Sequence, residues 1–112
     1  PGVIVVADVT YPDGKRERIT TNDRVIPKKC EIDYKVLRSP GLAAAAVKWQ
    51  GVNTGAESHA ANQLRGGFED SNIPKGGRHE STAYRGRHYV QCFLINNRKC
   101  IAYSSVFFIN VE

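Results

Sequence analysis

Cys30-Glu31-Ile32-Asp33-Tyr34-Lys35-Val36 alternates apolar and charged residues with a period of two. Successive side chains of a strand point to opposite faces. Cys30, Ile32, Tyr34 and Val36 therefore share one face, and Glu31, Asp33 and Lys35 the other. One dry face and one wet face mark a half-buried antiparallel strand. Upstream, Gly2 to Asp8 contains the run Val3-Ile4-Val5-Val6 and reads as a buried strand rich in β-branched residues. Pro12-Asp13-Gly14 is a turn, because Pro presets φ and Gly supplies the left-handed position. Lys15 to Lys29 is charged and polar, with Ile19, Val25 and Ile26 as its few apolar anchors.

Downstream, Arg38-Ser39-Pro40-Gly41 breaks the alternation. Leu42 to Ala46 has helical propensity but is too short to stand alone, and is expected as a connecting turn. Val47 to Val52 is the next strand, with Val47, Trp49 and Gly51 facing one way, and Asn53-Thr54-Gly55 ends it. Residues 56–78 are expected to be mostly loop, with a short strand within Gln63 to Glu69. His79 to Tyr84 follows as a strand, and Arg85-Gly86 turns the chain. Arg87 to Ile95 is the strongest strand signal, Asn96 to Lys99 a hairpin loop, and Cys100 to Tyr103 and Val106 to Val111 close the domain. About seven short strands spaced by turn signals predict an all-β, immunoglobulin-like antiparallel β-sandwich. Cys30, Trp49 and Cys92 stand in the order of the core Cys, Trp and Cys of such domains, which places Trp49 in the core. Val90 occupies the tyrosine-corner position, with Tyr89 one place away.

Composition bounds what this sandwich can do. The 112 residues make one domain, 1–112, too small for a Rossmann or barrel enzyme. Hydrophobic residues at 41% and charged residues at 24% argue against disorder. No apolar run approaches the ~20 residues of a membrane span, so no membrane contact is expected. The chain starts at Pro1 without the pattern of a signal peptide, and is expected to be a segment of a longer protein. Cys30, Cys92 and Cys100 are odd in number and lack a CxxC, which predicts reduced and largely buried thiols. His59, His79 and His88 have no HxH or HxxxH spacing, so no metal site is expected. No P-loop and no GxGxxG leads a strand into a helix. Catalysis and cofactors are therefore not expected of this segment.

The informative chemistry is basic. Arg65, Lys75, Arg78, Arg85 and Arg87 stand with His79 and His88 against Glu69, Asp70 and Glu80, punctuated by glycine pairs. The planar guanidinium suits bidentate contact with phosphate. Gly lets backbone N–H groups approach an anion, and Tyr84 and Tyr89 offer faces for stacking. Arg65, Arg78, Tyr84, Arg85, Arg87 and His88 are the candidate ligand-binding residues. A solvated loop with internal salt bridges is the alternative. Lys15-Arg16-Glu17-Arg18 and Lys28-Lys29 are interleaved with acids and read as a solvated face. The net charge of +5 favours polyanions in general.

The string Glu80-Ser81-Thr82-Ala83-Tyr84-Arg85-Gly86-Arg87-His88-Tyr89-Val90-Gln91-Cys92 resembles the C-terminal sensor domain of bacterial adenylyl/guanylyl and SMODS-type nucleotidyltransferases of CBASS-type antiphage signalling. Lys48-Trp49-Gln50-Gly51-Val52-Asn53-Thr54-Gly55, Gln63-Leu64-Arg65-Gly66 and Cys100-Ile101-Ala102 support the resemblance, which spans about Val47 to Val111. Gln91 stands where the family has an acidic residue. The resemblance implies a β-sandwich, a non-catalytic sensor and a cytoplasmic bacterial setting. It further implies a nucleotide, cyclic oligonucleotide or nucleic-acid ligand and a covalently linked upstream domain. A protein-interaction or homo-oligomerisation module is the alternative function.

Overall fold

The computed structural model describes residues 2–38 and 45–112. Along the chain run β1 (Gly2–Thr10), β2 (Arg16–Ile19), β3 (Arg24–Ile26), β4 (Glu31–Arg38), β5 (Ala46–Val52), α1 (Ala56–Ala60), β6 (Arg65–Asp70), β7 (Arg78–Ser81), β8 (Gly86–Asn96), β9 (Lys99–Ser104) and β10 (Phe107–Val111). A single 3-10 turn, Pro74–Gly76, precedes β7.

The alternating segment behaves as its pattern requires. Ile32 and Tyr34 of β4 are buried, while Glu31 and Lys35 are exposed. β4 pairs antiparallel with β1, from Thr10 opposite Glu31 to Ile4 opposite Arg38. β2 lies on the other edge of β1 and β7 on the other edge of β4. These four strands form the first layer.

The second layer is organised on β8, whose 11 residues reach three neighbours. β5 pairs along most of its length, β10 along its first half and β9 along its second. β6 extends the layer beyond β5, and β3 extends it beyond β10. Most pairings are antiparallel. Two short parallel ones occur, β3 with β10 and the first residues of β1 with β9. The second of these joins the two layers.

The layers meet in one apolar core. Trp49 is 1% exposed and pairs directly opposite Cys92. Its ring lies 6.1 Å from that of Tyr34 across the interface, and Tyr34 meets Phe107 edge-on at 6.2 Å. The Trp49 Nε1–H donates to the Gly76 carbonyl at 2.9 Å, so the buried indole is satisfied. The all-β sandwich and its tryptophan core are as the sequence predicts.

Ten strands form where about seven are expected. The two with no counterpart among the expected segments, β2 and β3, lie in the charged segment. Each buries one apolar side chain, Ile19 or Ile26, and lends its backbone to a sheet edge. A short helix, α1, occupies part of the expected loop. β7 stops at Ser81 because Thr82 turns inward to tie two loops. Its hydroxyl accepts the Cys30 N–H at 2.9 Å and donates to the Pro27 carbonyl at 3.1 Å. The break at 38–41 and the turn at 42–46 fall largely on 39–44, outside the described residues. Cys30 and Cys92 are buried, whereas Cys100 is exposed where the β8–β9 ladder shifts register. Among the described residues no helix is long and apolar enough to cross a membrane.

Candidate functional site

Residues far apart in sequence converge where the edges of the two layers, β6 and β7, face each other. Arg65 has a left-handed backbone, φ 64°, and Gly66 follows at φ 116°. β5 pairs with β6 irregularly at this point. The bulge turns the Arg65 side chain inward, onto Gly51 of β5. A Cβ at Gly51 would lie 2.9 Å from the Arg65 Nη2, so a larger residue there would make the guanidinium shift.

The guanidinium bridges the layers. Arg65 Nη1 donates to Glu80 on β7, and Nη2 donates to Glu69 on its own strand. Arg78 completes the lattice. Its Nη2 donates to Glu69 Oε2 at 2.5 Å and its Nη1 to the Asp70 carbonyl at 2.8 Å. The Nε of Arg78 lies 3.4 Å from Glu80 Oε2 but makes no hydrogen bond. Two arginines and two glutamates thus form a neutral set. Burial opposes the charge on Arg65, yet Glu69 and Glu80 hold its pKa above the ordinary arginine value.

A cavity of about 60 Å³ lies between the layers, beside Arg65 and Glu80 of this lattice. Tyr34, Asn53, Arg65, Glu80 and His88 supply its polar lining, and Val90 and Ile109 part of its apolar floor. Burial pushes the Tyr34 phenol well above its ordinary pKa, and the Glu80 charge adds to this. Tyr34 therefore stays protonated.

His88 is a strut on the cavity wall. Its Nδ1 accepts the Thr54 N–H at 2.9 Å, which leaves Nε2–H to donate to the Tyr84 carbonyl at 2.6 Å. These partners assign a neutral imidazole. The Thr54 and Arg85–Gly86 loops touch closely enough that Gly86, at φ 147°, cannot carry a Cβ without striking the Thr54 carbonyl.

The structure divides the sequence-derived candidates among three places. Arg65, Arg78 and His88 belong to the lattice and cavity. Tyr84 and Arg85 lie outside the cavity lining, in the loop before β8 that meets His88 through the Tyr84 carbonyl, and the Arg85 N–H donates to Glu57 Oε1 at 3.2 Å. Arg87 lies on the outer face of the second layer. Its guanidinium grips Asp23 through Nε at 2.7 Å and Nη2 at 3.0 Å, and stacks 3.6 Å over the Phe108 ring. Arg87 and His88 are neighbours on a strand, so they cannot serve the same face.

Glu69, Glu80, Tyr34 and Asn53 were not among the candidates. Tyr34 is marked in the sequence by the inward parity of the alternating segment, and Glu80 opens the family-like string. Nothing local marks the pairing of Glu80 with Arg65 across two layers. Among the described residues no group of three or more His, Cys, Asp or Glu is placed to hold a metal ion.

The fold is a small β-domain with a polar seat between its two sheets. The sequence profile of the adenylyl/guanylyl and SMODS C-terminal sensor domain family matches residues 3–112, and the chain belongs to that family. No curated protein matches it in sequence. The fold is similar to the crystal structure of the PmoD soluble domain from Methylocystis sp. ATCC 49242 (Rockwell). The TM-score is 0.56, with 12% identity over 97% of each chain. At that identity the likeness speaks for the fold alone.

Proposed function

We propose that this chain is the non-catalytic sensor of a cytoplasmic bacterial nucleotidyltransferase in antiphage second-messenger signalling. Its ligand is a nucleotide, a cyclic oligonucleotide or a nucleic-acid strand, bound through phosphate at Arg65 and Arg78. The observation that carries this reading is the pair of guanidiniums held by shared carboxylates, of which Arg65 and Glu80 line the cavity and lie inside the family-like strings. A phosphate group offers anionic acceptor oxygens like those of Glu69 and Glu80 and would replace them on the arginines. The cavity is far smaller than the ~300–1,000 Å³ of a drug-sized pocket. The body of the ligand would therefore lie across the mouth, with Tyr84 and Arg85 beside it. The attraction between an anionic ligand and this basic chain predicts binding that weakens with salt.

Calorimetric titration of the protein with nucleotides, cyclic oligonucleotides and short RNA tests this. Binding that is lost in Arg65→Gln, with the fold retained by circular dichroism, is expected. Binding unchanged in Arg65→Gln moves the site elsewhere, and no heat with any ligand refutes direct nucleotide sensing.

A further inference from the structure

The outward side chains of the second layer form an aromatic face that the lattice does not use. Trp49, Cys92 and Ala102 are buried in the core. Alternation therefore sends Lys48 and Gln50 of β5, Gln91 and Phe93 of β8, and Ile101 and Tyr103 of β9 outward. The register makes these neighbours: Phe93 stands opposite both Lys48 and Tyr103, and Gln50 opposite both Gln91 and Phe68. The Phe68 ring crosses over β5 to meet Phe93 edge-on, 5.3 Å between centroids. Phe68 is 65% exposed, Ile101 49% and Tyr103 44%. Isolated exposed apolar side chains are ordinary, but a row that crosses four adjacent strands marks an interaction surface.

The charge on this face favours a protein over a polyanion. Lys48 is paired with Asp70, and Arg87 with Asp23. An aromatic centre with Lys48 already neutralised beside it, and the exposed cations Arg98 and Lys99 at the β8–β9 turn, is the composition of a protein interface with a polar rim.

The occupant follows from where the chain enters the fold. Gly2 pairs in parallel with Tyr103, and Val3 with Ser104. Gly2 and Val3 therefore bring the chain into the fold beside β9, at the edge of this face. In a family of C-terminal sensor domains of nucleotidyltransferases, the enzyme domain precedes the sensor. It is thus delivered to the rim of this face. We propose that Phe68, Phe93, Ile101 and Tyr103 dock the nucleotidyltransferase domain of the same polypeptide. This inference rests on the family and the face, not on the identity of the ligand.

Hydroxyl-radical footprinting of the full-length polypeptide tests it, each side chain being normalised to its own rate in urea. Val25 and Leu37, both 53% exposed, serve as internal references. Protection of Phe68 and Tyr103 about fivefold or more above those references is expected when exposed rings become an interface centre. Equal protection overturns the proposal. Protection that fades on roughly tenfold dilution assigns the face to a second copy by mass action, and also overturns it. Protection that appears only on adding single-stranded nucleic acid does the same.

Discussion

Replacing Arg65 and Glu80, singly and together, asks whether the lattice is one coupled unit. Their side chains are 25% and 17% exposed, so water cannot fully resolvate either charge once its partner is gone. At an effective dielectric constant of about 20, unit charges about 4 Å apart attract by about 4 kcal/mol. Desolvation costs several kcal/mol per ion and offsets most of that attraction. The remainder falls between the ~0–1 kcal/mol of an open surface pair and the ~3–5 kcal/mol lost when a buried pair is broken. Arg65→Gln and Glu80→Gln are each expected to cost about 2 kcal/mol. The double variant is expected to cost about 2–3 kcal/mol rather than their sum, a coupling of about 1–2 kcal/mol. The residual partners, Glu69 for Arg65 and Arg78 for Glu80, keep each single loss below the buried limit. Urea unfolding followed by fluorescence of the sole tryptophan, buried Trp49, reads the midpoints. A parallel cycle on Lys15 and Asp13, 3.9 Å apart with side chains 84% and 60% exposed, is expected to show no coupling. If the Arg65–Glu80 cycle is indistinguishable from that one, the lattice is not a unit and cannot act as a ligand-displaceable clamp.

Other expectations are more local. His79 sits between Asp33 at 2.6 Å and Glu31 at 3.2 Å, and the Asp33 hydrogen bond leads in raising its pKa above 6.5. Its contribution is fully present below the unfolded value and is lost as pH rises through the folded one. Amides of β7 should therefore lose protection above neutrality in the native protein but not in His79→Gln, and a flat profile in both refutes the clamp. Burial pushes the Cys92 thiol up to about 12 and raises that of Cys30 as well. A disulfide reagent at neutral pH should then titrate one thiol, Cys100, in the native state and three in urea; rapid loss of all three natively would contradict the core. Gly86→Ala forces a Cβ toward the Thr54 carbonyl at a left-handed φ and should cost about 2 kcal/mol or more. An unchanged melting temperature would show that the two loops do not touch.

The parts of the fold that the sequence reveals are those in which one strand carries several apolar anchors. β4 shows three of them at period two, with Cys30 just before it in phase, and β8 continues inward as Val90, Cys92 and Leu94. β2 and β3 bury only Ile19 and Ile26, so periodicity has too few points to register, and backbone pairing decides their state. The site is legible in its residue types and not in its geometry. Arg65, Arg78 and His88 can be picked out as candidates from charge and context. The inward turn of Arg65 depends on a left-handed bulge, and its Glu80 partner comes from the opposite layer. The separation of Arg87 from His88 follows from strand parity alone, once Arg87 to Ile95 is taken as a strand. Grouping those two residues in one site overlooks that parity.

That parity also relates the two proposals physically. His88 faces the cavity and Phe93 faces outward on the same strand, five residues apart, or about 17 Å at strand rise. A sensor requires a ligand seat, an output surface and an element with two arrangements that both can bias. β8 is rigidly paired on both sides, so it does not itself supply the two arrangements. The lattice can supply them. With Glu80 on Arg65 the edges of the two layers are tied across the cavity. A phosphate on Arg65 and Arg78 would release Glu80 and Glu69 and leave the Arg78–Asp70 carbonyl bond between the β7 and β6 edges, a looser tie than the full lattice. β5 lies between β6 and β8, and the Phe68 ring spans it to reach Phe93. A shift of β6 therefore moves Phe68 against the docking face directly. On this reasoning the signal passes through the β6 edge, not through the core. Glu80→Gln should then alter the footprint of Phe68 without ligand, while Val25, at the far edge on β3, stays unchanged.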